Sequence, residues 1–120
     1  MITKKLKQRW RNIIFNFVFA ILTLLITILF YKKIILTLVL LIAVAIIGLI
    51  KWKSKLTLIL FFLGGITGSI AEIIAINNGV WEYSISNFVN IPIWLFLVWG
   101  NAAAFIYQTG IEIKRLGVKK

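Results

Sequence analysis

The residues of this sequence best suited to acid–base chemistry are its three carboxylic acids, Glu72, Glu82 and Glu112. Aspartate, histidine and cysteine are absent. Without imidazole or thiolate ligands, the usual zinc and haem sites and a Ser-His-Asp triad are excluded. We therefore predict no metal site and no cofactor, and we take Glu72 and Glu82 as the candidate catalytic acids.

Glu72 lies inside an apolar segment, where an ionisable side chain is costly and usually has a function. Small residues occur at helical spacing near it and on the next apolar segment, which allows two helices to approach closely. The residues predicted to form this packing seam are Gly64, Gly68, Ala71, Ala75, Gly100 and Ala104. We expect Glu72 to point into a helix contact or a cavity, either as a polar link between helices or as a functional acid.

Aromatic and amide side chains follow Glu72 along the chain. The apolar residues Trp81, Tyr83 and Ile85 alternate with polar residues over 81–86, which predicts an extended strip with its rings toward the membrane. The residues predicted to line a ligand site are Trp81, Tyr83, Trp94, Trp99, Asn101 and Gln108. An aromatic belt and hydrogen bonds between helices are the simpler interpretations of the same residues.

Four apolar segments must position these side chains. Hydrophobic residues make up 62% of the 120 residues, more than a soluble domain of this size can bury. A bilayer core about 30 Å thick requires roughly 20 apolar residues per helix. The pattern predicts an all-α, four-helix transmembrane bundle forming a single domain over 1–120. The predicted helices cover 13–31, 34–50, 56–76 and 92–111, and an extracytoplasmic loop covers 77–91.

The 14 lysines and arginines give a net charge of +11 and lie between or beyond the apolar segments. This distribution is typical of membrane topology signals and not of a nucleic-acid-binding face, so we expect no nucleic-acid partner. Twelve of these cations fall on one side if both termini are cytoplasmic, against Lys32 and Lys33 on the other. The sequence therefore predicts a multi-pass protein of the cytoplasmic membrane with both termini in the cytoplasm.

One pattern within residues 68–100 combines a glutamate, glycines, aromatic residues and a proline: Glu72, Gly79, Trp81, Tyr83, Pro92, Trp94, Trp99 and Gly100. With these residues, this part of the chain resembles membrane proteins of carotenoid biosynthesis. The similar proteins are the C50-carotenoid hydratases and, more distantly, the membrane lycopene cyclases. The resemblance implies an isoprenoid ligand, with Glu72 or Glu82 protonating a C=C bond and the aromatic faces stabilising the cation.

Three functions are compatible with these residues, and whether the chain is an enzyme stays open. The first is binding of an apolar, isoprenoid- or carotenoid-like lipid near the outer leaflet, at the site lined by Glu, Trp and Tyr. The second is a non-catalytic accessory role in a larger membrane complex or a homo-oligomer. The third is proton-coupled export, since small multidrug-resistance exporters are similar in length and helix number, although their glutamate lies in the first helix.

Overall fold

The computed structural model describes residues 3–117 and contains four α-helices. In chain order these are α1 (Lys4–Phe30), α2 (Ile34–Trp52), α3 (Lys55–Asn77) and α4 (Leu95–Arg115). Over the described residues there is no β-strand, and the one isolated β-bridge joins Phe88 and Ile91. The predicted all-helical class is confirmed.

Three helices, α1, α2 and α3, are long and apolar enough to cross a membrane. Their apolar windows are only between 17% and 28% buried within the bundle. Most of their Ile, Leu and Val side chains therefore lie on the outer surface. An apolar surface of this extent is unusual for a soluble monomer and is typical of a membrane protein.

The helix boundaries that differ most from the sequence prediction belong to α1 and α4, and α4 also continues to Arg115 instead of ending at residue 111. α1 begins at Lys4, well before residue 13, because Thr3 caps it by accepting a hydrogen bond from the Leu6 N–H at 3.1 Å. α4 begins at Leu95 rather than at Pro92. The carbonyl of Pro92 accepts from the Leu95 N–H at 3.0 Å, so the proline forms a separate turn before the helix.

The predicted stop of α3 is confirmed in its geometry. Gly79 adopts a left-handed conformation with φ +76° directly after the capping residue Asn78. The N–H groups of Gly79 and Val80 donate to the carbonyls of Ile76 and Ala75, both at 3.0 Å. This pair of bonds is the Schellman motif, which satisfies the last carbonyls of the helix and turns the chain away from it.

α4 lies at the centre of the bundle and packs against all three other helices. Its main partners are α3 and α1, whereas α2 and α3 touch only slightly. The α1–α2 connector and residues 78–94 meet where the Trp94 Nε1–H donates to the Tyr31 carbonyl at 3.3 Å, and we call this the loop end. The opposite end, where α1 begins and α4 ends, is the termini end.

The α3–α4 contact uses a stripe of α3 next to the predicted one. The buried residues of α3 on this stripe are Phe61, Gly65, Ser69 and Glu72. Gly64 and Gly68 are half-buried beside it and still touch Ala103 and Trp99 of α4.

Ala71 was predicted to pack but is exposed, because α4 passes over the Gly65 side of α3, and Ala75 is half-buried. Gly100 and Ala104 are buried in the bundle, as expected.

Gly65 lies close to the backbone of α4, and we predict that Gly65→Ala destabilises the bundle. An added Cβ would lie 2.8 Å from the Phe96 carbonyl oxygen, so the helices must separate. We expect a loss of about 1–3 kcal/mol in thermal unfolding of the detergent-solubilised protein. The matched control is Gly110→Ala on α4, where an added Cβ meets nothing within 4 Å. Equal melting temperatures for the two variants would show that the contact is not tight.

Candidate functional site

Glu72 is buried near the loop end of α3 and accepts two short hydrogen bonds. Its Oε1 accepts from the Tyr83 hydroxyl at 2.5 Å, and its Oε2 accepts from the Trp99 Nε1–H at 2.6 Å. Hydrogen bonds to a carboxylate are about twice as strong as those between neutral groups. Glu72 thus joins α3, α4 and the segment between them through a single side chain.

The segment between α3 and α4 folds back on itself through a tight turn. Phe88 and Ile91 exchange two backbone hydrogen bonds, at 2.8 and 2.9 Å. Between them, Val89 and Asn90 both have positive φ, which is strained for a β-branched residue such as valine. The Asn87 side chain then accepts from the Ile93 N–H at 2.8 Å, which fixes the approach to α4.

This turn inserts part of the segment into the apolar core. The buried residues of the core at the loop end are Leu41, Ile91, Trp94 and Leu95. Tyr83 packs against this cluster, with its ring edge-on to Trp94 at 6.4 Å between centroids. The position of the Tyr83 hydroxyl is therefore set by packing on one side and by Glu72 on the other.

The predicted alternation of packed and exposed side chains over residues 81–86 holds for part of this segment. Tyr83 and Ile85 are half-buried, while Glu82 and the serines are exposed. Trp81 departs from the pattern, because its side chain is 48% exposed. The strip begins to pack only at Tyr83, where the bond to Glu72 holds it against the helices.

Tyr83 separates two recesses at the loop end. The polar recess has a volume of about 530 Å³ and is lined by Ile76, Gly79, Trp81, Glu82, Tyr83, Ser86 and Asn90. The apolar recess has a volume of about 340 Å³ and is lined by Thr27, Ile28, Tyr31, Tyr83, Ser84, Ile85 and Trp94. The two recesses therefore share the Tyr83 side chain.

In this site the two aromatic side chains are the hydrogen-bond donors, and Glu72 is the acceptor. A tryptophan N–H can only donate, so Oε2 of Glu72 acts as an acceptor. Burial raises the pKa of Tyr83 above its ordinary value of 10, and the hydrogen bond to Glu72 and its charge raise the pKa further. Tyr83 therefore stays protonated at neutral pH and keeps donating to Glu72.

Asn101 and Gln108, which were predicted to bind a ligand, make hydrogen bonds between helices. Asn101 Nδ2 donates to Thr23 Oγ1 at 3.1 Å, and Gln108 Nε2 donates to Thr57 Oγ1 at 2.6 Å. Neither amide bonds to Glu72. The simpler interpretation of these two residues matches their contacts.

A second polar cluster, which was not predicted from the sequence, surrounds Glu112 at the termini end. Glu112 is buried; its Oε1 accepts from Asn12 Nδ2 and from an Arg115 nitrogen, both at 3.1 Å. Arg9 lies 3.9 Å from Oε2. One signal for this cluster was present in the sequence, since Gln108 and Glu112 are four residues apart and share a helix face.

No protein-family model, curated protein or solved structure matches this chain. Function is therefore inferred from the geometry of the site and from the distribution of charge.

We predict that Glu72→Ala loosens the whole segment between α3 and α4. The change removes the acceptor of two part-buried hydrogen bonds, from a tyrosine hydroxyl and a tryptophan N–H, which costs about 0.5–1.5 kcal/mol for each bond. Backbone amides of residues 81–91 should then exchange hydrogen faster in detergent micelles. The matched control is Glu82→Ala, which removes an exposed carboxylate from the same segment. Unchanged exchange in Glu72→Ala would show that Glu72 does not hold the segment.

Proposed function

We propose that the chain crosses the cytoplasmic membrane four times, with both termini in the cytoplasm. α4 is not among the three helices whose length and hydropathy suffice for a membrane span, yet it lies antiparallel to α1. Three hydrogen-bonded pairs join the two helices at successive levels: Asn12 with Glu112, Asn16 with Thr109, and Thr23 with Asn101. Because the polar side chains of α4 face other helices, it can cross beside α1 without exposing them to lipid.

The charge distribution supports the orientation. The cations assigned to the cytoplasmic side are Lys4, Lys5, Lys7, Arg9, Arg11, Lys51, Lys53, Lys55, Lys114, Arg115, Lys119 and Lys120. The last two lie outside the described residues. Only Lys32 and Lys33 belong to the loop end. A bias of this size supports a cytoplasmic location for the termini end.

The absence of cysteine allows a direct test of this topology with single cysteines. We expect Ser86→Cys to react with a membrane-impermeant maleimide in intact cells, because it lies at the loop end. Lys55→Cys and Lys114→Cys should react only after the membrane is permeabilised. Labelling of Lys114→Cys in intact cells would contradict the fourth crossing.

We further propose that the loop end binds an apolar, isoprenoid- or carotenoid-like lipid. The observation that carries this proposal is the pair of recesses that share Tyr83. An elongated apolar chain suits the recess lined by Ile28, Tyr31 and Trp94, because aromatic rings offer large apolar faces. A polar end of the same molecule would reach Glu82 and Ser86 in the neighbouring recess.

The two candidate acids have different parts in this proposal. Both oxygens of Glu72 accept hydrogen bonds from the protein, so Glu72 positions Tyr83 between the recesses. Glu82 is exposed and lines the polar recess, so it is the carboxyl group that a ligand can contact. The resemblance to carotenoid-biosynthesis proteins is consistent with this arrangement, and binding does not require a reaction.

Co-expression with a pathway that makes lycopene, an acyclic carotenoid, tests the proposal. We expect the purified protein to retain pigment, and we expect Ile28→Trp to reduce the retained pigment by about tenfold by filling the apolar recess. The matched control is Ile106→Trp, because Ile106 is also an exposed isoleucine but lines neither recess. Both variants should melt like the unmodified protein. Absence of pigment from the unmodified protein, or equal pigment in both variants, would contradict lipid binding at this place.

An accessory role in a larger complex is the second candidate, and the divergence of α2 and α3 favours it. The groove between them has a volume of about 490 Å³ and apolar walls that include Ile46, Phe62 and Phe96. A helix of another subunit could pack there. Native mass spectrometry of the gently extracted protein should then show a stoichiometric protein partner and no retained isoprenoid.

A further inference from the structure

A polar cavity of about 260 Å³ opens at the termini end, far from the lipid site proposed above. α1, α2 and α4 all contribute to its walls. The side chains that define its chemistry are Gln8, Asn12, Lys51, Gln108, Glu112 and Arg115. Trp52 closes one side, where its Nε1–H donates to Asn16 Oδ1 at 2.9 Å.

The cations of this cavity outnumber its one carboxylate. Lys51 and Arg115 line it, and Arg9 lies within 3.9 Å of Glu112. One nitrogen of Arg115 donates a hydrogen bond to Glu112 at 3.1 Å, and the guanidinium has further N–H groups that can donate to a ligand. Lys51 stands over the Phe15 ring, 5.6 Å from its centroid, so its ammonium group is held near the cavity. Over the described residues Lys51 makes no salt bridge.

One buried acceptor in the cavity wall lacks a donor. Oε2 of Glu112 accepts no hydrogen bond from the described residues, although the side chain is almost fully buried. A buried acceptor without a donor costs about 1–3 kcal/mol, and such groups usually have a partner. A hydroxyl group is the simplest donor that would not add charge to this strongly basic end.

From these observations we propose that this cavity binds the headgroup of an anionic, hydroxyl-bearing phospholipid of the phosphatidylglycerol kind. The phosphate accepts from Lys51 and Arg115 and from the amide of Gln8. A headgroup hydroxyl donates to Glu112. The acyl chains then lie along the exposed apolar sides of the helices.

The phospholipid is preferred to free phosphate because exposed apolar side chains, Ile14 and Ile50, are next in sequence to the cavity residues Phe15 and Lys51. A bound phospholipid contacts the polar cavity with its headgroup and the exposed apolar surface with its acyl chains, whereas free phosphate contacts only the cavity. The site is also more specific than the general attraction of basic residues for anionic membranes, because that attraction does not depend on which lysine is present.

Native mass spectrometry of the detergent-solubilised full chain tests the proposal with dioleoylphosphatidylglycerol and dioleoylphosphatidylcholine. We expect a preference for the anionic lipid. Lys51→Gln should weaken its binding by roughly fivefold, because a basic residue near an anionic lipid contributes about that factor. The matched control is Lys53→Gln. It removes the same charge two residues further along the chain, and the Lys53 side chain does not line the cavity. We expect that control to retain the preference.

Gln8→Glu provides a second variant that does not disturb the core, because Gln8 is exposed while lining the cavity. It adds a negative charge beside the phosphate and should also weaken phosphatidylglycerol binding by roughly fivefold. Equal losses in Lys51→Gln and Lys53→Gln would overturn the site in favour of general surface attraction. Displacement of the lipid by sodium phosphate at equal concentration would overturn the assignment to a lipid. Pigment retention at the loop end is read separately, so failure of either proposal leaves the other intact.

Discussion

The packing of the bundle depends on one constraint, which is that the polar side of α4 must be enclosed by other helices. The polar residues buried on this helix are Asn101, Gln108, Thr109 and Glu112. In an apolar medium each of them needs a partner within the protein. α1 and α3 supply those partners through Asn12, Asn16, Thr23 and Thr57, which occur at matching levels of the antiparallel helices. This pairing explains why α4 can be polar while α1 and α2 expose mostly aliphatic side chains.

The two ends of the bundle use buried glutamates in different ways. At the loop end, Glu72 receives neutral donors, Tyr83 and Trp99, and thereby attaches the segment between α3 and α4 to the helices. At the termini end, Glu112 lies among cations and keeps one oxygen without a donor in the described residues. The first arrangement is complete within the chain and positions other residues. The second leaves hydrogen-bonding capacity beside a cavity, which is a property expected of a binding site.

Close packing and polar pairing also account for the glycines of α3. Gly64, Gly65 and Gly68 lie against Ala103, Phe96 and Trp99 of α4, so the small residues serve a contact within this chain. They therefore do not by themselves indicate a partner helix. The surface that stays open to another molecule is instead the groove where α2 and α3 diverge, together with the recesses at the loop end.

The hydropathy pattern was enough to predict four helices, their approximate limits and the location of Glu72 on the third, because these follow from local composition and from the thickness of a bilayer. The end of α3 at Asn78 and Gly79 could also be predicted from the sequence, because asparagine and glycine tolerate the left-handed conformation that ends a helix. Which stripe of α3 faces α4, and hence the exposure of Ala71, depended on how two helices fit together. Asn101 and Gln108 could be recognised as polar residues on one face, yet their partners Thr23 and Thr57 are distant in sequence. The contacts of Glu72 and the cavity around Glu112 were likewise decided by tertiary structure, because hydrogen bonds between helices depend on register and distance, which periodicity along one helix does not contain.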